Sequence, residues 1–480
     1  MRNRSNFLKP FSFFLSLFFI ASFTGCNKEP LYTPASNNSA AIYDFWLEKT
    51  ISNPTLNRAY QGMIMGDTTI RLMVDHGTDI TVLEPTIFSD ADSIAPKGKQ
   101  NFSNPVKYTL WANGKTVSYT VSIVVSPVQF PTIKTIAAGF GHIMALKTDG
   151  TLWVCGDNSS SQLGLGDYSG RNRLTQAPVY DVDQIFTGDA ASIIKLKDGT
   201  AWGTGNQFGQ LGLGHKNSVV NFTRVPFLDD ATQIAITFGE VLALKPDGTV
   251  WGAGRNMFKT LAQGDNELRA TFVKIPISNV KQISGCGFDI VVQKNNGELW
   301  GWGENISGQL GLGDNVKRTS PVLIPTPSIG INKIFTGGST TFLLDNGGKV
   351  WTAGVNVRGQ MGLGDLTNRS SFTEVTFFNP ISINEIAPHS GSTSFKDVDG
   401  NVWNVGDNVN GLMGLGTVSI LPYKIPVQLN AFSATKLTGS GNTTYALKTD
   451  GTLWAWGSNS SGALGTGGDS TYSSSPIQIK

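Results

Sequence analysis

One stretch of this 480-residue chain is dense enough in glycine to hold a phosphate group. Residues 299–314 read LWGWGENISGQLGLGD. A nucleotide-binding loop needs such a turn between a strand and a helix, whose N-terminal N–H groups face the phosphate. Here the phrase recurs along the chain, no helical period follows any copy, and no Gly-Lys-Ser/Thr accompanies it. We therefore interpret the glycines as scaffold and predict no cofactor.

Two carboxylates occupy equivalent positions in neighbouring repeat units, each before that unit's copy of the phrase. Counting six residues after the first strand hydrophobe of each repeat unit, Ile136 in the first, gives one register position per unit: His142, Ala191, Glu240, Asp289, Thr340, Ser392 and Thr443. Glu240 and Asp289 could converge near a central channel, where paired carboxylates bind a cation or act as acid and base. The alternative is that each is simply solvated or hydrogen-bonded.

Other catalytic or metal-binding groups are sparse. The four histidines, His76, His142, His215 and His389, are scattered, and neither H-E-x-x-H nor G-x-S-x-G occurs. Cys155 and Cys286 fall in different repeats, so we predict neither a disulfide between them nor a metal site. A net charge of +2 gives no electrostatic case for nucleic acid. We predict a protein that is not an enzyme.

Binding residues are predicted where the glycine phrase breaks down and on variable loops. The third copy loses glycines and gains Arg255, Met257, Phe258 and Lys259, which neutral drift or a partner-binding patch could explain. The aromatic residues Tyr168, Phe222, Phe372, Tyr423 and Tyr472 lie in segments that vary between copies. Aromatic side chains on loops held by a rigid scaffold suit recognition.

The elements that position these residues repeat seven times from about residue 131. A Trp followed three residues later by Gly recurs at spacings of 49, 49, 49, 51, 52 and 51 residues. Most copies have Asp-Gly or Asn-Gly before this Trp, which predicts a hairpin, and end in an extended, Pro-containing segment. About four strands per unit in seven units predict an all-β, seven-bladed β-propeller.

These repeats resemble the regulator-of-chromosome-condensation family. The family pattern G-x-x-H…D-G-x-x-W-x-x-G-x-N-x-x-G-Q-L-G-x-G is matched by residues 139–142 and 162–166 in the first unit, 209–214 in the second and 302–313 in the fourth. The resemblance implies a seven-bladed propeller. It also implies that His occupies the register position, which six of the seven units have lost.

The region before the propeller divides into three predicted segments. Residues 1–25 read as a lipoprotein signal peptide, with a basic start, an apolar run and small residues before Cys26, which resembles a lipobox; an ordinary signal peptide is the alternative. Residues 26–39 read as a flexible tether. Residues 40–126 alternate like strands, with a hairpin turn at Asn113-Gly114, and predict an immunoglobulin-like β-sandwich that serves as a spacer. Residues 127–480 then form the propeller.

Ring closure follows from counting the extended segments. There are eight of them if residues 127–130 are included, against seven hairpins. We predict that the last one, residues 475–479, docks on the first unit.

We therefore expect an exported, lipid-anchored, monomeric scaffold on the outer membrane or cell surface, with a periplasmic orientation as the alternative. It presents a propeller face to a protein or a cell-envelope glycan. An alternative function is regulation of another protein. The chain would then inhibit a β-lactamase or, by family resemblance alone, act as a guanine-nucleotide exchange factor. A glycan-active enzyme rests only on Glu240 and Asp289.

Overall fold

The computed structural model describes residues 40–65, 68–128, 131–205, 208–327, 330–468 and 470–479. The predicted signal peptide, Cys26 and the tether lie outside these ranges. Residues 37–480 belong to one compact unit. Apart from strands, the described ranges contain two short 3₁₀ helices, Pro226–Leu228 and Thr376–Phe378. None of their helices is long and apolar enough to cross a membrane.

The first eight strands form two sheets, which we call the N-terminal β-domain. Its strands are β1 Ile42–Leu47, β2 Tyr60–Gln61, β3 Met63–Met65, β4 Thr69–Val74, β5 Thr86–Ser89, β6 Ser93–Ala95, β7 Val106–Ala112 and β8 Lys115–Val125. One sheet has the order β2-β1-β5 and the other β3-β4-β8-β7-β6. The predicted Asn113-Gly114 turn joins β7 to β8, and Phe45 packs edge-on against Tyr108 between the sheets.

The remaining strands form seven four-stranded antiparallel sheets, numbered in chain order. Sheet 1 comprises β9 Ile133–Gly139, β10 His142–Lys147, β11 Leu152–Gly156 and β12 Arg171–Gln176; sheet 2, β13 Val182–Thr187, β14 Ser192–Leu196, β15 Ala201–Gly205 and β16 Val219–Arg224; sheet 3, β17 Gln233–Ile236, β18 Glu240–Leu244, β19 Val250–Gly254 and β20 Arg269–Lys274; sheet 4, β21 Val280–Cys286, β22 Asp289–Lys294, β23 Leu299–Gly303 and β24 Arg318–Ile324. Sheet 5 comprises β25 Ile331–Gly337, β26 Thr340–Asp345, β27 Val350–Gly354 and β28 Arg369–Glu374; sheet 6, β29 Ile383–Pro388, β30 Ser392–Asp397, β31 Asn401–Asn408 and β32 Ser419–Ser433; sheet 7, β33 Lys436–Ser440, β34 Thr443–Leu447, β35 Leu453–Ser458 and β36 Tyr472–Ile479.

The sheets are arranged as a ring around a channel. The first strand of each sheet contacts the first strand of the next, from β9 through β33 and back to β9. These strands line a cavity of about 600 Å³, with Ile136, Ile185, Ile334 and Leu437 in its wall. The all-β propeller preceded by a small β-rich domain is therefore confirmed.

Apolar layers between neighbouring sheets hold the ring together. The Trp at the repeat position packs at the border of these layers in six sheets, and Trp202 of sheet 2 lies within its layer. Its indole N–H commonly bonds a residue of the preceding hairpin, as Trp300 does to Glu298 at 3.1 Å. Where the N–H is bonded in this way, the aromatic body is buried without an unpaired polar atom, which explains why Trp suits this position.

Residues 475–479, predicted to dock on the first unit, complete the sheet of their own unit and pack on the first unit through side chains. These residues belong to β36, which pairs with β35 of its own sheet. Ile479 and Leu464 of sheet 7 share an apolar cluster with Ile143 and Cys155 of sheet 1, and a backbone bond from Gly467 N to Asn172 O at 2.7 Å also joins the two sheets. The Cys155 thiol is free and buried, which raises its pKa to about 12.

Antiparallel strands give the ring two distinct faces. One face carries the turn from the first to the second strand and the Asn-x-x-Gly loop after the third strand; we call it the loop face. The other carries the Asp-Gly hairpins and the connections between sheets; we call it the hairpin face. Backbone bonds from Phe238 N to Gly287 O and from Ser390 N to Gly441 O link neighbouring sheets across the loop face.

Candidate functional site

The glycine phrase of residues 299–314 is a packing device. Gly303 ends β23 with a φ of 128°, and a Cβ there would lie 2.2 Å from the Phe288 carbonyl oxygen. A Cβ on Gly308 would lie 2.4 Å from the Ser370 Cα of the neighbouring sheet. Only glycine tolerates both the left-handed conformation and this close approach. These contacts account for the glycines without a phosphate.

The seven register positions are equivalent in the structure, and all seven side chains are buried. In six sheets the register residue begins the second strand and pairs with the Gly that follows the repeat Trp, as Asp289 does with Gly303. His142 uses its Nε2 to bond Ser192 Oγ of sheet 2 at 3.0 Å. Burial lowers the His142 pKa to about 4, so this bond is made by a neutral ring.

Glu240 and Asp289 do not converge; each carboxylate binds the loop of its own sheet. Asp289 accepts bonds from Asn305 N at 2.9 Å and Gln309 Nε2 at 2.7 Å. Burial raises its pKa to about 6. Glu240 accepts bonds from Asn256 N at 3.0 Å and, at 2.8 Å, from the Thr260 hydroxyl. The hypothesis of a carboxylate pair at the channel is therefore wrong.

Glu240 also accepts a bond from the Thr237 hydroxyl at 2.5 Å. Both carboxylates thus hold loops in place. In the described residues, no group of three or more His, Cys, Asp or Glu side chains is placed to hold a metal ion.

The aromatic residues predicted on variable loops separate into two kinds. Tyr168 is exposed, and Tyr423 is half-buried within β32. Phe222 and Phe372 are instead strand residues of β16 and β28. Their rings cover Gly164 and Gly311 of the preceding sheets, where an added Cβ would lie within 2.4 Å of the ring. Phe222 and Phe372 thus seal the joints between sheets. Tyr472 begins β36, so only Tyr168 of the five lies on a loop, and placing the other four on loops is wrong.

The degenerate loop of sheet 3 lies on the loop face among aromatic rings. The Arg255 guanidinium carbon lies 4.8 Å from the Phe208 ring centroid and 5.9 Å from that of Phe238. The Phe258 ring lies 3.9 Å from that of Phe288, centroid to centroid. We call Phe208, Phe238, Arg255, Phe258 and Phe288 the Phe–Arg patch. It spans sheets 2, 3 and 4.

Three further residues extend this patch. Phe238 packs edge-on against Phe288 at 5.2 Å, so the rings form one group. Lys317 Nζ lies 5.3 Å from the Phe258 centroid. Met257 is 46% exposed beside them, while Lys259 is half-buried. The patch therefore offers exposed apolar surface together with cations held over aromatic rings, a geometry that stabilises the cations.

The sequence prediction found Arg255, Met257, Phe258 and Lys259 but missed Phe208, Phe238 and Phe288. The signal was available for one of them, because Phe238 stands two residues before the register position Glu240, as Phe140 does before His142. The grouping of rings from three sheets becomes visible only when the sheets are placed side by side.

Asp189 adds a titratable group at the edge of the patch. The pKa of Asp189 is raised to about 6, chiefly by burial and also by the nearby Asp157 charge, while the Arg255 charge opposes the rise. The charge beside Arg255 therefore changes in the physiological pH range.

An arc of exposed aliphatic residues continues from the patch. The residue after the loop Asn is Met257 in sheet 3, Ile306 in sheet 4, Val357 in sheet 5 and Val409 in sheet 6; each is at least 45% exposed. Contiguous exposed apolar surface marks interaction sites in soluble proteins. The arc and the patch together extend over the loop face of five adjacent sheets, 2 to 6.

The hairpin face of sheet 1 is occupied by the N-terminal β-domain. The Arg58 guanidinium carbon lies 4.9 Å from the ring centroids of both Tyr60 and Trp153. Tyr180 donates a hydrogen bond to the Gln61 carbonyl at 2.8 Å, and Arg71 pairs with Asp181 at 2.7 Å. The first domain thus leaves the loop face open.

Comparisons with known proteins agree with this architecture. Family models for the regulator of chromosome condensation (RCC1) repeat match residues 133–162, 296–344, 435–463 and 450–480. A model described as "SGBP, N-terminal" matches residues 51–123. The predicted repeat family is therefore confirmed, and the N-terminal β-domain has its own family model.

Relatives and solved structures are similar mainly through the propeller. The Arabidopsis thaliana ultraviolet-B receptor UVR8 is 28% identical over 357 residues, 72% of this chain and 69% of that protein. A Bos taurus secretion-regulating guanine nucleotide exchange factor is 32% identical over 25% of this chain, but only 28% of its own length.

Among solved structures, Prp20p from Saccharomyces cerevisiae gives a TM-score of 0.63 at 19% identity. The match covers 70% of this chain and 87% of Prp20p. Human WBSCR16 gives 0.57 at 20% identity, covering 68% of this chain and 87% of its own. At such identities the structures support the fold alone.

Proposed function

We propose that this chain, whose propeller carries RCC1 repeats, is a scaffold that binds its partner on the loop face at the Phe–Arg patch. The observation that carries this proposal is the group of four phenylalanine rings on the loop face, two of which contact Arg255, at the place where the repeat pattern is lost. Phe, Met and Arg are enriched at the centres of protein interfaces, and a rigid ring of sheets holds them ready for binding. RCC1-like propellers act generally as binding or regulatory scaffolds.

We further propose that the chain is an exported, monomeric lipoprotein that is anchored through Cys26. The sequence before Cys26 supports it, as does the position of the N-terminal β-domain on the hairpin face. An anchor on that side would turn the loop face away from the membrane. The lipid would supply membrane affinity of about 0.8 kcal/mol for each buried methylene.

The partner is a protein or a cell-envelope glycan. The aliphatic arc favours a protein, because its four exposed side chains offer apolar contacts and few hydrogen bonds. The match of the N-terminal domain to the SGBP model supports a glycan. Regulation of another protein fits the same face, and nothing in it singles out nucleotide exchange. Glu240 and Asp289 are buried and bonded within their loops, so the hypothesis of a glycan-active enzyme loses the two residues on which it rested.

The test is binding of the purified full chain to isolated envelope fractions. We expect Arg255→Ala and Phe258→Ala to weaken binding at least about ten-fold, as truncation of interface hot spots does. The matched control is Val398→Ala, an exposed change on the hairpin face. Unchanged binding by both patch variants would contradict the proposal. Protease treatment of the fraction abolishes binding if the partner is a protein, and periodate treatment does so if it is a glycan.

The anchor is tested separately by metabolic labelling with a palmitate analogue. We expect the wild-type chain to be labelled and Cys26→Ala not to be. Label that persists in the variant would contradict the lipoprotein assignment and would leave the proposed binding face unaffected.

A further inference from the structure

A cavity of about 410 Å³ lies between sheets 6 and 7. Leu429 and Phe432 of β32 line one side of it, and Lys448, which follows β34, and Trp454 of β35 line the other. Lys448 is the only charged residue among the described residues that line it. Ligand pockets span about 300–1,000 Å³ and combine an apolar lining with a few polar groups, as this cavity does.

The aromatic rings of the cavity are held in place by the protein. The Phe432 ring packs edge-on against Trp454, with 5.9 Å between the centroids, and against Trp456 at 5.6 Å. The Trp454 indole N–H donates a hydrogen bond to the Thr452 hydroxyl at 2.9 Å. A ligand that packs on these rings therefore orders few side chains, which keeps the entropic cost of binding low.

The Lys448 ammonium lies over the rings without a hydrogen-bond acceptor. Its Nζ is 4.8 Å from the ring centroids of both Phe432 and Trp454. The Asp450 carboxylate, two residues further on, interacts with this charge but is bonded to the N–H and the hydroxyl of Thr452. Within the described ranges, Lys448 Nζ forms no ion pair. The ring faces stabilise the cation, but they leave its three N–H donors free for a ligand.

The junction of sheets 2 and 3 has a similar cavity, of about 440 Å³, in which the chain supplies the acceptor. Phe227, Lys245 and Trp251 line it, and Lys245 Nζ lies 4.0 Å from the Phe227 centroid. There the ammonium donates to the carboxylate of Asp230 and forms an ion pair with it. A carboxylate thus fits beside a lysine held over an aromatic ring in this protein.

The junction of sheets 6 and 7 lacks that carboxylate. Thr232 and Thr435 are equivalent, because each bonds through its N–H and its hydroxyl to the carbonyl of the residue before the lysine. Two residues before these threonines stand Asp230 in the first junction and Ser433 in the second. The acid that neutralises Lys245 is therefore replaced by a serine beside Lys448.

We propose that the cavity between sheets 6 and 7 binds a small organic carboxylate with an aromatic body. The ligand carboxylate accepts hydrogen bonds from Lys448 Nζ, as the Asp230 carboxylate does from Lys245. The ligand ring packs against Phe432, Trp454 and Leu429. This site is separate from the Phe–Arg patch and does not depend on the function proposed for the loop face.

The experiment is a ligand-observed NMR titration of the purified full chain. The probe is phenylacetate; phenylacetamide keeps the ring but has no charge, and acetate keeps the charge but has no ring. We expect phenylacetate to bind and both analogues to bind at least about ten-fold more weakly. This comparison uses the unaltered chain, so it tests the charge and the ring without any risk of misfolding.

Two variants test the residues of the site. Lys448→Met keeps the apolar stem over the rings and is expected to weaken phenylacetate binding at least about ten-fold, because the charged donor is lost. Ser433→Asp supplies the acid found at the other junction and is expected to weaken binding as strongly, while the melting temperature stays the same or rises. The control is Lys294→Met, since Lys294 lies 4.1 Å over the Trp300 ring in sheet 4 and does not line this cavity.

The loop-face variant Arg255→Ala is expected to leave phenylacetate binding unchanged. The proposal is overturned if phenylacetate does not bind, if phenylacetamide binds as tightly, or if binding survives in Lys448→Met or Ser433→Asp. An equal loss in Lys294→Met would also overturn it, because the effect would then come from the net charge of the protein.

Discussion

Sheets 3 and 4 solve the same packing problem with different residues. In sheet 4, the short Asp289 carboxylate meets the long Gln309 side chain, and Gly308 takes the left-handed conformation. In sheet 3, the longer Glu240 meets the shorter Thr260 at the position equivalent to Gln309, and Lys259, with φ 61°, takes the place of Gly308.

The bonds that hold the loop are kept while the surface residues change. The loop Asn illustrates this: Asn256 bonds Leu261 N at 2.9 Å, and Asn305 bonds Leu310 N at 3.0 Å. Because the buried bonds are compensated, the outward positions of sheet 3 are free to carry Met257, Phe258 and Lys259. A degenerate repeat can therefore retain the fold while it gains a surface of its own.

The largest expected effect is on the close approach in sheet 4. Gly308→Ala is expected to lower the free energy of unfolding by about 3 kcal/mol, because its Cβ meets the Ser370 backbone in addition to the left-handed strain. The control is Gly313→Ala, where φ is 86° but the nearest atom to an added Cβ, Ser371 Oγ, is 3.7 Å away. That variant should lose about 1 kcal/mol. Equal losses in urea unfolding would show that strain alone matters.

The second effect is a pH dependence in sheet 4. The folded-state pKa of Asp289, about 6, lies above its ordinary value of 3.8, so the folded state holds this proton more tightly. The stabilisation is complete below about pH 4 and is lost as the pH rises through 6, by about 2–3 kcal/mol in total. We expect Asp289→Asn to remove this change from curves of unfolding free energy against pH. Parallel curves for variant and wild type between pH 4 and 6 would rule it out.

The compensation in sheet 3 is testable by a double-mutant cycle. Glu240→Asp shortens the carboxylate and is expected to cost about 1–2 kcal/mol, because the buried Thr260 hydroxyl loses its acceptor. Adding Thr260→Gln rebuilds the pair found in sheet 4 and should recover at least half of that loss. Additive losses in chemical denaturation would mean that the two positions are not coupled.

The smallest effect is a gain. Lys259→Gly is expected to raise the free energy of unfolding by about 0.5–1 kcal/mol, since it relieves left-handed strain at the cost of greater unfolded-chain entropy. Lys259→Ala keeps the strain and should show no gain. If both variants behave alike in urea titrations, the Lys259 conformation is not strained.

Most of the fold that could be predicted from the sequence was predicted from the repeat. Trp300, Gly303 and the Asp-Gly hairpins predict sheets and their order because each marks a local turn or a pairing position. Joints between sheets depend on residues far apart in the chain. For that reason Phe222 and Phe372 were misplaced, the pairing of residues 475–479 with their own sheet was not predicted, and Phe288 was missed beside Phe258. Glu240 and Asp289 stand at equivalent positions, but nothing in the sequence showed that each is bonded within its own loop.

The strand pairing at the end of the ring has a consequence for how such a chain can change. Each sheet uses one uninterrupted stretch of about 50 residues, and β36 completes sheet 7 without borrowing a strand from sheet 1. An in-frame duplication or deletion of one unit therefore copies or removes a whole folded element. New loops such as that of sheet 3 can arise in one copy while its neighbours keep the inherited design.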